Sequence, residues 1–439
     1  MHHLAPPLAP TFREALHFWL RLGFISFGGP AGQIAIMHDF LVDQKRWISN
    51  SKFLHALNYC MLLPGPEAQQ LATYTGWMLH GTRGGLAAGI LFVLPSACML
   101  WALSALYVTY GQVAAVQAMF EFLKPAVVAI VAGAIIKIGK KSLRTPLHYL
   151  VALAAFVAIY WWNVSFPAII LGALGLGLLL TFTKLIKFNK SLPEPADHAA
   201  ESNYLINNET VVSGSGFSLV RLVKQVGIAI LLWLVPLVLF AVFASNFDFW
   251  KKLCLFFTQA ALVTFGGAYA VLPYVAQVSV EQFGWLTRPE MLDGLALGET
   301  TPGPLIMVLA FVGFMAGYHV FGGSLGAATL GLAATVWYTF LPSLLFILAG
   351  APLIERTQSS NSVKSILQYV GAAVAGVILN LCLYLGLAVI VPQPPAIAWG
   401  ALGWVIVSFV ALQYFKVNMM VWIGVSVVVG LGRHFLTGQ

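Results

Sequence analysis

The sequence predicts an all-α polytopic membrane protein, and three observations carry that prediction. Hydrophobic residues make up 59% of the chain and charged residues only 9%, whereas a soluble domain carries about a quarter charged residues. The apolar stretches are long and continuous, without the alternation of a barrel strand. Short motifs recur at a fixed distance, so the chain reads as two related halves. A surface this apolar needs lipid as its solvent, and in lipid a helix satisfies its own backbone.

Hydropathy divides the chain into about 13 segments. In the first half these are Leu16–Leu41, Phe53–Leu79, Leu86–Val108, Ala114–Ile138, Leu147–Trp162 and Phe166–Phe182. A lone segment, Leu219–Phe243, follows. The second half holds Leu253–Val280, Pro289–Val320, Leu325–Leu348, Ile366–Val391, Ala396–Leu412 and Val417–Phe435. Spanning takes about 20 residues, so the short segments read as partial spans and the long ones as tilted or broken. The expected organisation is a first transmembrane repeat over 1–183, a cytoplasmic linker over 184–218, an extra linking helix over 219–244, and a second repeat over 250–436. The linker carries Lys184, Lys187, Lys190, Glu194, Asp197, Glu201, Glu209, Gly214 and Gly216 and reads as flexible.

The net charge is +8. In a membrane chain this reflects Lys and Arg in cytoplasmic loops rather than a nucleic-acid surface, and no nucleic-acid partner is expected. With a cytoplasmic N-terminus and alternating sides, 15 Lys and Arg fall inside and 6 outside: Lys45, Arg46, Lys52, Lys251, Lys252 and Arg433. The C-terminus is then periplasmic. Cys60, Cys98, Cys254 and Cys382 stand singly in apolar stretches, so no metal site, disulfide or cofactor is expected. The first ten residues lack the parts of a cleaved signal peptide, which leaves insertion to the first helix.

The repeat is the strongest signal. Ser26-Phe27-Gly28-Gly29 recurs as Thr264-Phe265-Gly266-Gly267, and Pro64-Gly65-Pro66 as Pro302-Gly303-Pro304, both 238 residues on (264 from 26, 302 from 64). Trp47 matches Trp285, and Gly84-Gly85 matches Gly322-Gly323, at the same distance. Leu94-Pro95-Ser96 recurs as Leu341-Pro342-Ser343 after an insertion of nine. Pro167-Ala168-Ile169 and Pro395-Ala396-Ile397 match at another distance and read as a local echo. Six helices plus one precede the second repeat, so the halves are expected as inverted repeats. Their Gly and Pro motifs should break helices at similar depth.

SFGGP near the start, PGP in the next segment, and TFGG with TPGP in a fused second half resemble the bidomain chromate ion transporter family. The resemblance covers nearly the whole chain. It implies export of chromate from the cytoplasm, and hence chromate resistance, driven by membrane potential or a proton gradient across a bacterial inner membrane. Two departures stand out. Ala268 replaces the proline of the first-half motif, and Glu299-Thr300-Thr301 precedes the second PGP whereas Glu67 follows the first.

Each candidate residue has a functional and a structural reading. Gly28, Gly29, Pro30, Gly266 and Gly267, with Ser26 and Thr264, would expose amides and hydroxyls to an oxyanion at a half-helix start; the alternative is close helix packing. Pro64, Gly65, Pro66, Thr300, Thr301 and Gly303 mark a second pair of breaks. Glu67 and Glu299 beside them are candidates for carrying a coupling proton, or for a structural bond to freed amides. Arg21 and Lys124 could supply countercharge to a dianion. Alternatively Arg21 snorkels to the surface and Lys124 pairs with Glu121. Gln33, Gln69, Gln70 and Thr73 could bond substrate oxygens or join helices. Trp161, Trp162, Trp250 and Trp285 read as an interfacial belt. His17, His38 and His80 have no metal-ligand spacing.

No Walker A motif occurs, so a gradient rather than ATP is the expected energy source. Sulfate is the alternative substrate, as an analogue of chromate in shape and charge. A passive channel is a further alternative. A membrane-embedded enzyme would need ligands for haem, flavin or metal, which the sequence does not offer. Lipid is the expected surrounding partner, and a homodimer remains open.

Overall fold

Helix α1 (Phe12–Ile25) begins on Thr11, whose hydroxyl accepts the Glu14 amide, and stops at Ser26. There the Phe27 amide turns back to the Ile25 carbonyl at 2.9 Å, an inverse γ-turn centred on Ser26. Gly28 and Gly29 follow with φ of 88° and 71°, a left-handed pair that reverses the chain without a Cβ penalty. Helix α2 (Gly29–His38) then returns, widening into a π-helical turn over Asp39–Gln44. The computed structural model describes residues 7–183, 203–207, 210, 218–354, 361–392 and 396–437.

The ends of this hairpin lie side by side. Lys45 Nζ pairs with Glu14 Oε1 at 2.8 Å, and the Phe18 and Phe40 rings stack with centroids 3.8 Å apart. The segment Leu16–Leu41 therefore doubles back as a helical hairpin instead of running as one rod. A single crossing of that length would separate its ends by about 40 Å. The stacked rings contribute about 1 kcal/mol beyond their burial.

Helix α3 (Asn50–Cys60), capped by Ser49, makes the next hairpin with the first limb of α4 (Glu67–Tyr110). The turn is Met61–Pro66, with Gly65 at φ 129°. At His80–Gly81 the α4 backbone leaves helical geometry, and His80 Nε2 lies 3.0 Å from the Pro10 carbonyl. Thus the second hairpin also returns to the level of the N-terminal residues, and Phe53–Leu79 likewise doubles back. The rest of α4 runs on to Tyr110, followed by α5 (Ala114–Ser142), α6 (Pro146–Trp162), α7 (Phe166–Phe182) and, beyond the linker, α8 (Leu219–Phe243).

The second half repeats the plan. Helix α9 (Phe247–Val263) breaks at Thr264, where Phe265 N bonds Val263 O at 3.0 Å. Gly266 and Gly267 take φ of 80° and 97°. Helix α10 (Ala268–Ala276) returns into a π-helical turn over Gln277–Gln282. Helix α11 (Arg288–Thr300) and α12 (Val308–Val320), joined through a short 3-10 turn, form the fourth hairpin, closed at its base by Glu290 and His319 at 2.9 Å. Leu253–Val280 and Pro289–Val320 are therefore hairpins as well. Helices α13 (Leu325–Ile354), α14 (Asn361–Ile390), α15 (Trp399–Gln413) and α16 (Met419–Thr437) complete the chain.

The hairpins enter from opposite ends of α4. The first two have their bases near His80, whereas the base of the fourth meets Tyr107, whose hydroxyl donates to Asp293 at 2.9 Å. About 40 Å of helix separates those levels. Among the described residues six helices are long and apolar enough to cross a membrane, including α5, α8 and most of α14. The apolar faces of α1 to α4 pack into one core around Trp19, Phe53 and Tyr74. A larger core gathers α9 to α13 with α5 to α7 and α14.

Three placements differ from expectation. Lys45, Arg46 and Lys52 lie at the base of the first two hairpins, beside the start of α1. Arg288 lies at the base of the fourth hairpin, toward the Tyr107 end of α4. Residues 203–207 of the linker pack against the first half: Ile206 N donates to Trp47 O at 3.0 Å and Ser49 N to Ile206 O at 2.8 Å. All the charged and glycine positions singled out in the linker, and Pro395 of the local echo, lie outside the described residues.

Candidate functional site

The four descending limbs start on capped ends: Thr11, Ser49, Asn246 and Thr287 each accept an amide of the first turn. The four returning limbs do not. Gly28, Pro66, Gly267 and Pro304 precede them, and none offers a side-chain cap. Glycine and proline have nothing to cap with, so the local sequence leaves first-turn amides uncapped at every hairpin tip. Each such end carries the positive pole of its helix.

The tips meet across the halves. Gly65 N donates to the Thr264 carbonyl at 2.7 Å, and Gly303 N donates to the Ser26 carbonyl at 2.8 Å. The contacts are equivalent under the 238-residue repeat. A Cβ on Gly65 would stand 3.1 Å from Ser343 Oγ, and one on Gly303 would stand 2.7 Å from Ser96 Cβ. Those two serines are the repeat partners from the Leu-Pro-Ser motif. Only glycine can pass there.

Around Gly28, Gly29, Gly266 and Gly267 there is open space instead. A Cβ at any of the four would meet nothing within 4 Å. Buried polar atoms collect beside the tips: Ser26 Oγ, Gln33 Oε1 and Ser96 Oγ have no hydrogen-bond partner among the described residues. Gln33 Nε2 bridges the Ser26 carbonyl at 3.3 Å and the Gly303 carbonyl. The arrangement offers an anion uncapped amides, hydroxyls and backbone without side chains.

The halves differ in detail. Thr264 Oγ1 is turned back to the Ala260 carbonyl at 2.6 Å, unlike Ser26 Oγ. Thr300 and Thr301 hydroxyls cap the backbone of Leu297 and Gly298. Glu299 is buried and accepts the Tyr269 hydroxyl at 2.8 Å; Glu67 is buried in the first turn of α4, at that helix's positive end. Pro30 sits in the first turn of α2. Gln69, Gln70 and Thr73 bond within the protein. Ser343 donates to Gln69 at 2.7 Å, Gln69 to Thr73 at 3.2 Å, and Gln70 to the Pro64 carbonyl at 2.8 Å.

Lys124 stands apart from the tips and pairs with Asp293 at 3.1 Å across the halves. Glu121 pairs with Arg433 instead. Arg21 is exposed on α1, roughly 7 Å of helix before Ser26.

Sequence reasoning missed Asp293, Tyr269, Ser96 and Ser343. Asp293 had a signal, as an acid inside a hydrophobic segment. The serines were visible in their repeat. Tyr269 had none, since its role depends on a hairpin folding it onto Glu299.

Broken helices from two sets of hairpins, meeting inside an apolar helical body, define a polytopic membrane transporter. The chain belongs to the chromate transporter family, whose model matches residues 13–178 and 251–431. It is 31% identical over 378 residues to the chromate transport protein of Pseudomonas aeruginosa, covering 85% of this chain and 80% of that one. It is 29% identical over 388 residues to the probable chromate transport protein of Synechococcus elongatus, covering 88% and 86%. A chromate transport protein of Cupriavidus metallidurans is 28% identical over 396 residues, 90% and 87% of the two chains. No solved structure matches the chain.

Proposed function

We propose that this protein is a secondary active transporter that exports chromate from the cytoplasm, conferring chromate resistance, with the dianion bound at the hairpin tips. The observation that carries this reading is the set of four uncapped helix starts around the open glycine pairs. A tetrahedral oxyanion suits such amides, and the names of the relatives favour chromate among oxyanions. Ser26, Gly28, Gly29, Pro30, Gln33, Gly266 and Gly267 line the site in this reading, with Gly65 and Gly303 locking it and Glu299 or Glu67 carrying the coupling proton.

The two halves, 1–183 and 250–436, act as inverted repeats around that site, joined by the 184–218 linker and the 219–244 helix. Each contributes two re-entrant hairpins and four crossings, and α8 makes the ninth. This assignment strengthens the charge asymmetry. Moving Lys45, Arg46 and Lys52 inside and Arg288 outside turns 15 against 6 into 17 against 4. An inner-membrane protein with a cytoplasmic N-terminus and a periplasmic C-terminus follows.

The test is labelled chromate uptake into inverted vesicles holding the wild type or Gly28→Leu, with sulfate as competitor. Gradient-driven uptake, lost in a normally inserted variant, is expected. Sulfate uptake without chromate uptake would reassign the substrate and keep the site. No flux of either anion under any gradient would overturn the reading.

A further inference from the structure

The exposed face of α1 carries Arg13, His17 and Arg21 at intervals of four, one per helical turn. Each step rises about 6 Å, so the row climbs from the hairpin base to within one and a half turns of Ser26. All three side chains are exposed, and none forms a hydrogen bond or ion pair with another described residue. The row ends near Gly28, itself exposed, where added side-chain volume would meet nothing within 4 Å. An arginine about 13 Å along a re-entrant helix is costly against hydrocarbon and calls for water or an anion.

The repeat makes the comparison internal. The equivalent positions on α9 are Lys251, Leu255 and Gln259, also exposed. The outermost cation is kept, while a leucine stands for the histidine and a neutral amide for the deeper arginine. Packing alone would not separate the helices this way, because both rows are exposed.

We propose that Arg13, His17 and Arg21 form an electropositive access track that draws tetrahedral oxyanions from the N-terminal face to the Gly28–Gly29 break. The weaker row on α9 lets the anion leave at the other face without being held. This inference rests on the transport reading above and adds to it a reason for direction. Two arginines flanking a hydrogen-bonding imidazole raise the local concentration of an anion, and do so less as salt rises. Phospholipid headgroups share the chemistry of a tetrahedral phosphate, so the experiment separates them from a dissolved substrate.

The variant is Arg13→Gln/His17→Leu in the full chain, which alters only exposed positions. Chromate flux is measured from each face, at low and high salt, in neutral vesicles and in vesicles with anionic lipid. Expected for flux from the N-terminal face is a KM raised about tenfold at low salt and about twofold near 0.3 M, with kcat within about twofold. KM from the opposite face should not change. A wild-type KM indifferent to salt and unchanged in the variant overturns the track while leaving transport intact. An effect confined to anionic vesicles overturns it in favour of headgroup docking. A wild type that moves neither chromate nor sulfate overturns the transport reading, and the track with it.

Discussion

The amide of Gly65 donates to the carbonyl of Thr264 at 2.7 Å, and 238 residues on, Gly303 donates to Ser26 at 2.8 Å. Each bond ties the PGP turn of one half to the FGG break of the other. Each contributes about 1 kcal/mol by itself. Their larger effect is geometric, because the four hairpin tips are held as two pairs across the halves, one bond to each pair.

Gly303→Ala should be the more damaging of the two locking substitutions. Its Cβ would stand 2.7 Å from Ser96 Cβ, a fixed helix atom, and its φ is 94°. The Gly65 Cβ would meet the movable end of Gln70 at 2.7 Å. Thermal unfolding in detergent should show a loss of about 2–4 kcal/mol for Gly303→Ala and about 1–2 for Gly65→Ala. Adding Ser96→Gly should recover part of the first loss and none of the second. Equal recovery of both would mean that the steric contact with Ser96 is not the cause.

The Lys124–Asp293 pair should behave as a buried interaction across the halves. Asp293 has a side chain 6% exposed, against 26% for Lys124. Lys124→Met should cost about 2–4 kcal/mol by leaving the carboxylate with the Tyr107 hydroxyl but no counter-charge, and Lys124→Met/Asp293→Leu should cost less than either single change. Glu121→Gln, which breaks only an exposed pair with Arg433, should cost under about 1 kcal/mol. A larger loss for Glu121→Gln than for Lys124→Met would return Lys124 to its helix neighbour.

Topology gives a prediction without flux. In a background with its four cysteines replaced, Lys45→Cys should react with an impermeant maleimide from the side of the N-terminus. Arg288→Cys should react from the opposite side. Labelling of Lys45→Cys from the far side would mean that Leu16–Leu41 crosses the membrane once.

Glu299 and Tyr269 should separate coupling from exchange. Glu299→Gln keeps a partner for the Tyr269 hydroxyl, which lies 2.8 Å away, but cannot carry a proton. Proton-gradient-driven accumulation of chromate should fall at least about tenfold, while chromate–chromate counterflow stays within about twofold. Tyr269→Phe should give a milder version of the same pattern. Loss of counterflow together with accumulation would assign Glu299 to structure or binding instead.

Composition and short motifs were enough to read the helical membrane class, the duplication, and the residues at all four breaks. Glycine, proline and hydropathy act locally, so Ser26–Pro30 and Pro64–Pro66 were legible without a fold. The side chains paired across the halves were not. Lys124 has an acid three residues away in its own helix, yet it meets Asp293, and Tyr269 meets Glu299 only because a hairpin turns back. That Leu16–Leu41 doubles back was also closed to sequence, because apolar composition measures length in lipid and not direction. The hairpin is held by contacts between positions far apart in the chain, such as Phe18 on Phe40 and Glu14 on Lys45. Those contacts brought four separate tips together, and a site assembled from distant tips has no single stretch of sequence in which to be read.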